Sequence, residues 1–137
     1  MEHPIQLACI IDDDKIYVNL VKKIIEIKKL SRNLIIFKNG KEALDHFKPI
    51  LRNMSEESLP DIIFLDLNMP VMDGWEFLSE FIKIKNNFNK KITLYVVSSS
   101  IDPRDLERAR SFNMVTDYLI KPIELKKFEK IFDRDVA

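Results

Sequence analysis

Glycine is scarce, with only Gly40 and Gly74 in a chain of 137 residues. Loops of the GxGxxG or GxxxxGK[ST] kind, which cradle phosphate with backbone N–H groups, are therefore excluded, and any phosphate chemistry falls to side chains. Cysteine occurs once, as Cys9, so no disulfide can close within the chain. Its place inside an apolar run marks a small buried residue rather than a nucleophile. The two histidines, His3 and His46, have no cysteine partners, which removes zinc-type spacing. His46 falls on the polar side of a helical pattern and is expected at the surface. Net charge is missing too: 22 Lys and Arg balance 22 Asp and Glu. That takes away the usual electrostatic case for nucleic acid or an anionic membrane as main partner. No apolar run reaches the roughly eighteen residues of a membrane span, and no signal-peptide core opens the chain. The expected compartment is the cytoplasm.

What is present suffices for one core. Apolar residues make up 46% of the chain, too many for a disordered sequence. A single domain over 1–137, with no output domain attached, is expected. Short apolar runs at 5–11, 34–37, 61–65, 92–97 and 118–120 read as strands. Between and after them, apolar residues recur at helical spacing. The first helix carries Ile16, Leu20, Val21, Ile24 and Ile27, and the second Ala43, Leu44, Phe47, Ile50 and Leu51. Asp73 and Glu76 form a capping box ahead of Phe77, Leu78, Phe81 and Ile82. Asp102 and Pro103 open a fourth helix with Leu106, Ala109 and Phe112, and Leu125, Phe128, Ile131 and Phe132 line a last one. Five strand-then-helix units imply an α/β fold, with a doubly wound parallel sheet covered on both faces.

In such a sheet, ligands bind beyond the carboxyl ends of the strands. Four of the five ends carry a distinctive polar group: Asp12 and Asp13, then Asp66, Ser98 and Lys121. Any one of these has an ordinary explanation as a cap, a turn former or a solvated charge. Together they describe a chemistry. Three carboxylates at one rim repel one another unless a cation sits among them, and an all-oxygen site of few protein ligands suits Mg²⁺. A carboxylate beside that cation can attack phosphorus and form an acyl phosphate. Lys121 and the Ser98 hydroxyl are the groups available to hold phosphoryl oxygens.

These residues, with the run DLNMPVMDGW around Asp66 and the sequence Tyr118-Leu119-Ile120-Lys121-Pro122, give the chain its kinship. It resembles the receiver domains of bacterial two-component response regulators, in particular the single-domain, chemotaxis-type ones, over essentially its whole length. The resemblance implies the flavodoxin-like (βα)5 receiver fold with strand order 2-1-3-4-5. It implies a stand-alone receiver in a phosphorelay, a signalling protein whose chemistry is limited to self-phosphorylation and autodephosphorylation. Asp66 is then the phosphoacceptor, supplied by a sensor histidine kinase or a histidine phosphotransfer protein. Asp13, Asp66 and the backbone carbonyl of Asn68 are the implied Mg²⁺ ligands, with Asp12 acting through water. Lys121 pairs with the phosphoryl group, and its bond to Pro122 is cis. Ser98 is the switch hydroxyl and Tyr118 the aromatic switch. The face built by the fourth helix, fifth strand and fifth helix meets a downstream protein target, in a monomer or weak homodimer.

The chain departs from the family pattern in small ways. Ser99 stands where the family often has alanine, and Asp14 is a third acid, expected to face solvent or cap the first helix. The 52–60 loop is longer than in compact members. Asn68 and Ser100 match positions that tune acyl-phosphate lifetime in the family. Two other classes use related parts. A hydrolase of the haloacid-dehalogenase kind also has an Asp nucleophile and Mg²⁺, but it carries a second Asp two residues on, where this chain has Asn68. A flavin binder is disfavoured because acidic strand ends repel a flavin phosphate. A receiver acting without phosphorylation is separated from the leading reading by a labelling test.

Overall fold

Each apolar run becomes a strand of one parallel sheet in the computed structural model, which describes residues 5–53 and 55–136 and, among these, all side chains except Leu51 and 134–136. His3 and the Leu51 side chain therefore lie outside the described residues. The elements alternate along the chain: β1 (Ile5–Ile11), α1 (Lys15–Ile27), β2 (Ser31–Phe37), α2 (Gly40–Asn53), β3 (Ile62–Asp66), α3 (Gly74–Lys85), β4 (Thr93–Ser98), α4 (Pro103–Arg110), β5 (Val115–Ile120) and α5 (Leu125–Val136). The sheet order is β2-β1-β3-β4-β5, as the resemblance implied, and every pairing is parallel.

Side chains alternate across the strands and feed two separate cores. Cys9, Ile11, Ile63, Leu65, Leu94 and Val96 face α2, α3 and α4, where Phe47, Phe77 and Phe81 are fully buried. Ala8, Ile10, Ile62, Phe64, Tyr95, Val97 and Leu119 face α1 and α5, packing against Val18, Val21, Ile25, Phe128 and Phe132. Central strands covered on both faces read as continuous apolar runs, and here they do. Cys9 is buried as expected, and burial pushes its thiol pKa up. His46 is exposed, its ring against Phe37 and Phe47.

Three expectations need correction. The stripe assigned to α1 is right only in part: Val21 is buried and Ile24 packs against the core as expected, but Ile16, Leu20 and Ile27 are 85%, 56% and 74% exposed, and Val18 and Ile25 are buried instead. At 100° per residue Ile16, Leu20 and Ile27 lie nearly opposite Val18 and Ile25, so α1 is apolar on both faces and the sequence pattern took in parts of each. Leu125 is likewise exposed, so α5 packs through Phe128, Ile131 and Phe132. The edge strands β2 and β5 also begin three residues earlier than their apolar runs. Polar Ser31 to Asn33 pair with β1, and Val115 and Asp117 pair with β4. Of the expected 52–60 loop, Arg52 and Asn53 belong to the end of α2, Met54 lies outside the described residues, Glu56–Ser58 forms a 3-10 turn, and the buried Leu59 follows it.

Candidate functional site

The carboxyl ends of β1, β3, β4 and β5 meet at one rim because adjacent strands are in register there. Ile11 pairs with Leu65, Asp66 with Val97, and Ser98 with Ile120. One residue further, the Lys121 N–H donates to the Ser98 carbonyl (2.9 Å), holding the start of the β5–α5 connection against the end of β4. The Lys121–Pro122 peptide is cis, as expected. The Asp12 N–H donates to the Phe37 carbonyl (3.0 Å), which fixes the end of β1 in the same way.

The three consecutive acids have three different surroundings. Asp12 is buried, its Oδ1 accepting from the Asp14 N–H (2.9 Å) and its Oδ2 lying 2.8 Å from Lys121 Nζ. Asp13 is exposed, and its carboxylate has no hydrogen bond or ion pair among the described residues. Asp14 caps α1, accepting from the Tyr17 N–H (3.1 Å), one of the two roles expected of it. Oxygens of Asp12, Asp13 and Asp66 all lie within 4.8 Å of one another. Three hard anionic donors converging this closely, one of them open to solvent, fit an oxygen-ligated divalent cation.

Asp66 is buried at the end of β3, with Lys121 Nζ 3.8 Å from its Oδ1. Burial and then the Asp12 charge push its pKa up to about 7, with Asp13 adding to the rise. Lys121 and a hydrogen bond from the Asn68 backbone N–H work in the other direction without cancelling it. A carboxyl poised in this way gains most from a cation beside it. The segment from Asp66 to the start of α3 is shaped by close approach. Asn68 is exposed between the buried Leu67 and Met69, and Val71 has φ of 69° in a turn where the Met72 N–H donates to the Pro70 carbonyl (2.8 Å). The Asp73–Glu76 capping box then starts α3 as read from the sequence. Gly74 packs so tightly that a Cβ there would lie 2.5 Å from the Asp66 carbonyl oxygen and 2.9 Å from Leu67 Cα. Its requirement is for space rather than for an unusual dihedral.

Ser98 is fully buried, and its hydroxyl oxygen accepts from the Ser100 N–H (3.1 Å). Ser99 is exposed. Ser100 proves to be the junction of this corner. Its hydroxyl donates to Asp105 of α4 (2.7 Å) and accepts from the Asp102 N–H (3.2 Å), and its carbonyl accepts from the Tyr118 hydroxyl (3.0 Å). Ser98 and Tyr118 are thus joined through one residue. That link was invisible in the sequence, where Ser100 stood out only by resemblance.

Sequence reasoning missed Tyr17. Lys121 Nζ lies 4.5 Å from the centroid of its ring, so the ammonium is bounded by two carboxylates and an aromatic face. The available signal was its position three residues after the cap Asp14, in the first turn above the strand end.

Comparison with known proteins agrees with this geometry. A sequence model described as the response regulator receiver domain matches residues 8–133. The chain is 31% identical over 124 residues to the probable methanogenesis regulatory protein FilR2 of Methanothrix harundinacea, covering 90% of this chain and 77% of that one. Its structure is similar to that of a two-component response regulator from Cytophaga hutchinsonii, with a TM-score of 0.81, 26% identity and coverage of 96% and 97% of the two chains. It is also similar to the Mn²⁺-bound form of the response regulator Rcp1, with a TM-score of 0.68, 29% identity and coverage of 94% and 90%.

Proposed function

The chain belongs to the response regulator receiver domain family of two-component signalling, and from that premise we propose that Asp66 accepts a phosphoryl group in the presence of Mg²⁺. Receiver domains are signalling proteins rather than enzymes of turnover, and they bind a divalent metal. The observation that carries the finer reading is the convergence of Asp12, Asp13 and Asp66 within 4.8 Å, with Lys121 in contact with two of the three.

In this reading Asp13, Asp66 and the Asn68 carbonyl would hold the metal. Asp12, whose oxygens are already engaged by Lys121 and the Asp14 N–H, would contribute its charge through a water rather than directly. When bound, such a cation would supply positive charge to offset the carboxylates and the incoming phosphoryl oxygens. An Asp66 carboxylate oxygen attacks phosphorus, and the bond from phosphorus to the donor histidine nitrogen breaks. The nitrogen keeps the electron pair and the imidazole is released. Lys121, already beside Asp66, exchanges its carboxylate partners for the new phosphoryl oxygens, and the Ser98 hydroxyl leaves the Ser100 N–H to join them. Because Ser100 also receives the Tyr118 hydroxyl and holds Asp105, this exchange shifts a pre-existing balance between two arrangements of α4 and β5. The α4–β5–α5 face then changes its affinity for a downstream protein. Among the described residues no helix is long and apolar enough to cross a membrane, which suits a donor and a target met in the cytoplasm.

The test is direct. A small acyl-phosphate donor with Mg²⁺ should add one phosphoryl group to the protein, read by intact mass, and chelation or Asp66→Asn should abolish the addition. Undiminished labelling of the Asn variant would overturn the assignment.

A further inference from the structure

Tyr17 presents two faces of very different character. Its ring packs against the α1–α5 core, with the Lys121 ammonium 4.5 Å from the ring centroid. Its hydroxyl is buried and has no hydrogen-bond partner among the described residues. A buried hydroxyl left unpaired is unfavourable, so the interactions that favour this residue here are those of the ring. Burial and the nearby Asp12, Asp66 and Asp14 charges push the phenol pKa up, so the ring stays neutral.

Lysine is a compact charge on a flexible four-carbon stem, and its ammonium position is set by what surrounds it. Here Nζ lies 2.8 Å from Asp12 Oδ2 and 3.8 Å from Asp66 Oδ1. The two carboxylates fix the ammonium at two points only. The electron-rich face of an aromatic ring attracts a cation and gives it a third wall. The Asp14 cap, which accepts from the Tyr17 N–H, fixes the first turn of α1 from which that ring projects.

We propose that Tyr17 is a positioning residue for Lys121, its ring face holding the ammonium where it meets phosphoryl oxygens on Asp66, and its hydroxyl dispensable. This rests on the reading of Asp66 as acceptor.

The test compares wild type with Tyr17→Phe, Tyr17→Leu and Tyr17→Met, using an acyl-phosphate donor and Mg²⁺. Phe keeps the ring and should label at the wild-type rate within about twofold, with a higher Tm because the orphan hydroxyl is gone. Leu and Met should label about three- to tenfold more slowly. Two readouts separate positioning from general loosening of the fold. In a Lys121→Ala background, Tyr17→Leu should slow labelling no further. By NMR, the Lys121 ε-methylene protons should be shifted upfield by the ring in wild type and Tyr17→Phe, and return to ordinary values in Tyr17→Leu. A wild type that is not labelled overturns the acceptor reading, and the proposal falls with it. Normal wild-type labelling combined with an unshifted Lys121, an unslowed pair of Leu and Met variants, or full additivity with Lys121→Ala overturns the proposal alone.

Discussion

Asp66 concentrates the physical argument at the residue scale. In the folded, metal-free protein its carboxyl has a pKa of about 7, against 3.8 as the ordinary value, because burial and the Asp12 charge disfavour ionisation. Between those two values the folded state binds more protons than the unfolded chain, so its stability falls as pH rises through that window. In chelator, the stability of wild type relative to Asp66→Asn should therefore drop between about pH 4 and about pH 7 and level off above. Above about pH 7 the Asn variant should be the more stable, by a few kcal/mol on the order of the drop across that window. Thermal or urea unfolding of the two proteins across pH measures this, and a difference independent of pH would contradict the electrostatic account. Asp12, Asp13, Asp66, Ser98 and Lys121 were all legible in the sequence because each ends an apolar run. Their division of labour was not, since the burial of Asp12 and the exposure of Asp13 depend on where Lys121 comes to rest. Tyr17 was missed for the same reason: its partner lies more than a hundred residues along the chain.

At the scale of elements, the start of α3 and the loop before it hold Asp66 in place. Gly74 allows the helix to press onto the strand end, and the atoms a Cβ would meet first are backbone atoms of Asp66 and Leu67. They cannot rotate away, so Gly74→Ala should destabilise by about 1–3 kcal/mol and slow labelling by displacing Asp66. Denaturant unfolding together with the labelling rate checks both; an Ala variant as stable as wild type would show that the loop yields. Val71 is the opposite case. It is exposed and β-branched at a φ of 69°, a conformation that favours glycine. Val71→Gly should raise stability by about 0.5–1.5 kcal/mol in the same unfolding experiment, and a loss would mean the turn is not strained. Capping signals were read correctly at Asp73 and Asp102 because their chemistry is local. The inward face of α1 was read only in part, because both of its faces are apolar and the choice between them is made by the sheet. The polar starts of β2 and β5 were missed because edge strands pair through the backbone and leave no apolar pattern.

Across the whole molecule, the sheet turns separate sequence signals into one site. Parallel strands send all their carboxyl ends to the same rim, so five short runs with polar ends specify a cluster without specifying any distance. The fold was legible for that reason, while the connection from Ser98 through Ser100 to Tyr118 needed coordinates. This connection joins the acidic rim to α4 and β5, which is what a signalling role asks of its site. The absence of glycine-rich loops fits the proposed reading as well, in which phosphate would be met by Lys121, Ser98 and a metal that the carboxylates would hold. The central claim is that Asp66 carries the phosphoryl group. Its most direct test is to treat the protein with an acyl-phosphate donor and Mg²⁺, trap the acyl phosphate by borohydride reduction, and locate the reduced residue by peptide mass spectrometry. The account predicts reduction at Asp66, dependent on donor and metal. Reduction at Asp12 or Asp13 instead, or none under conditions that label an authentic receiver domain, would contradict it.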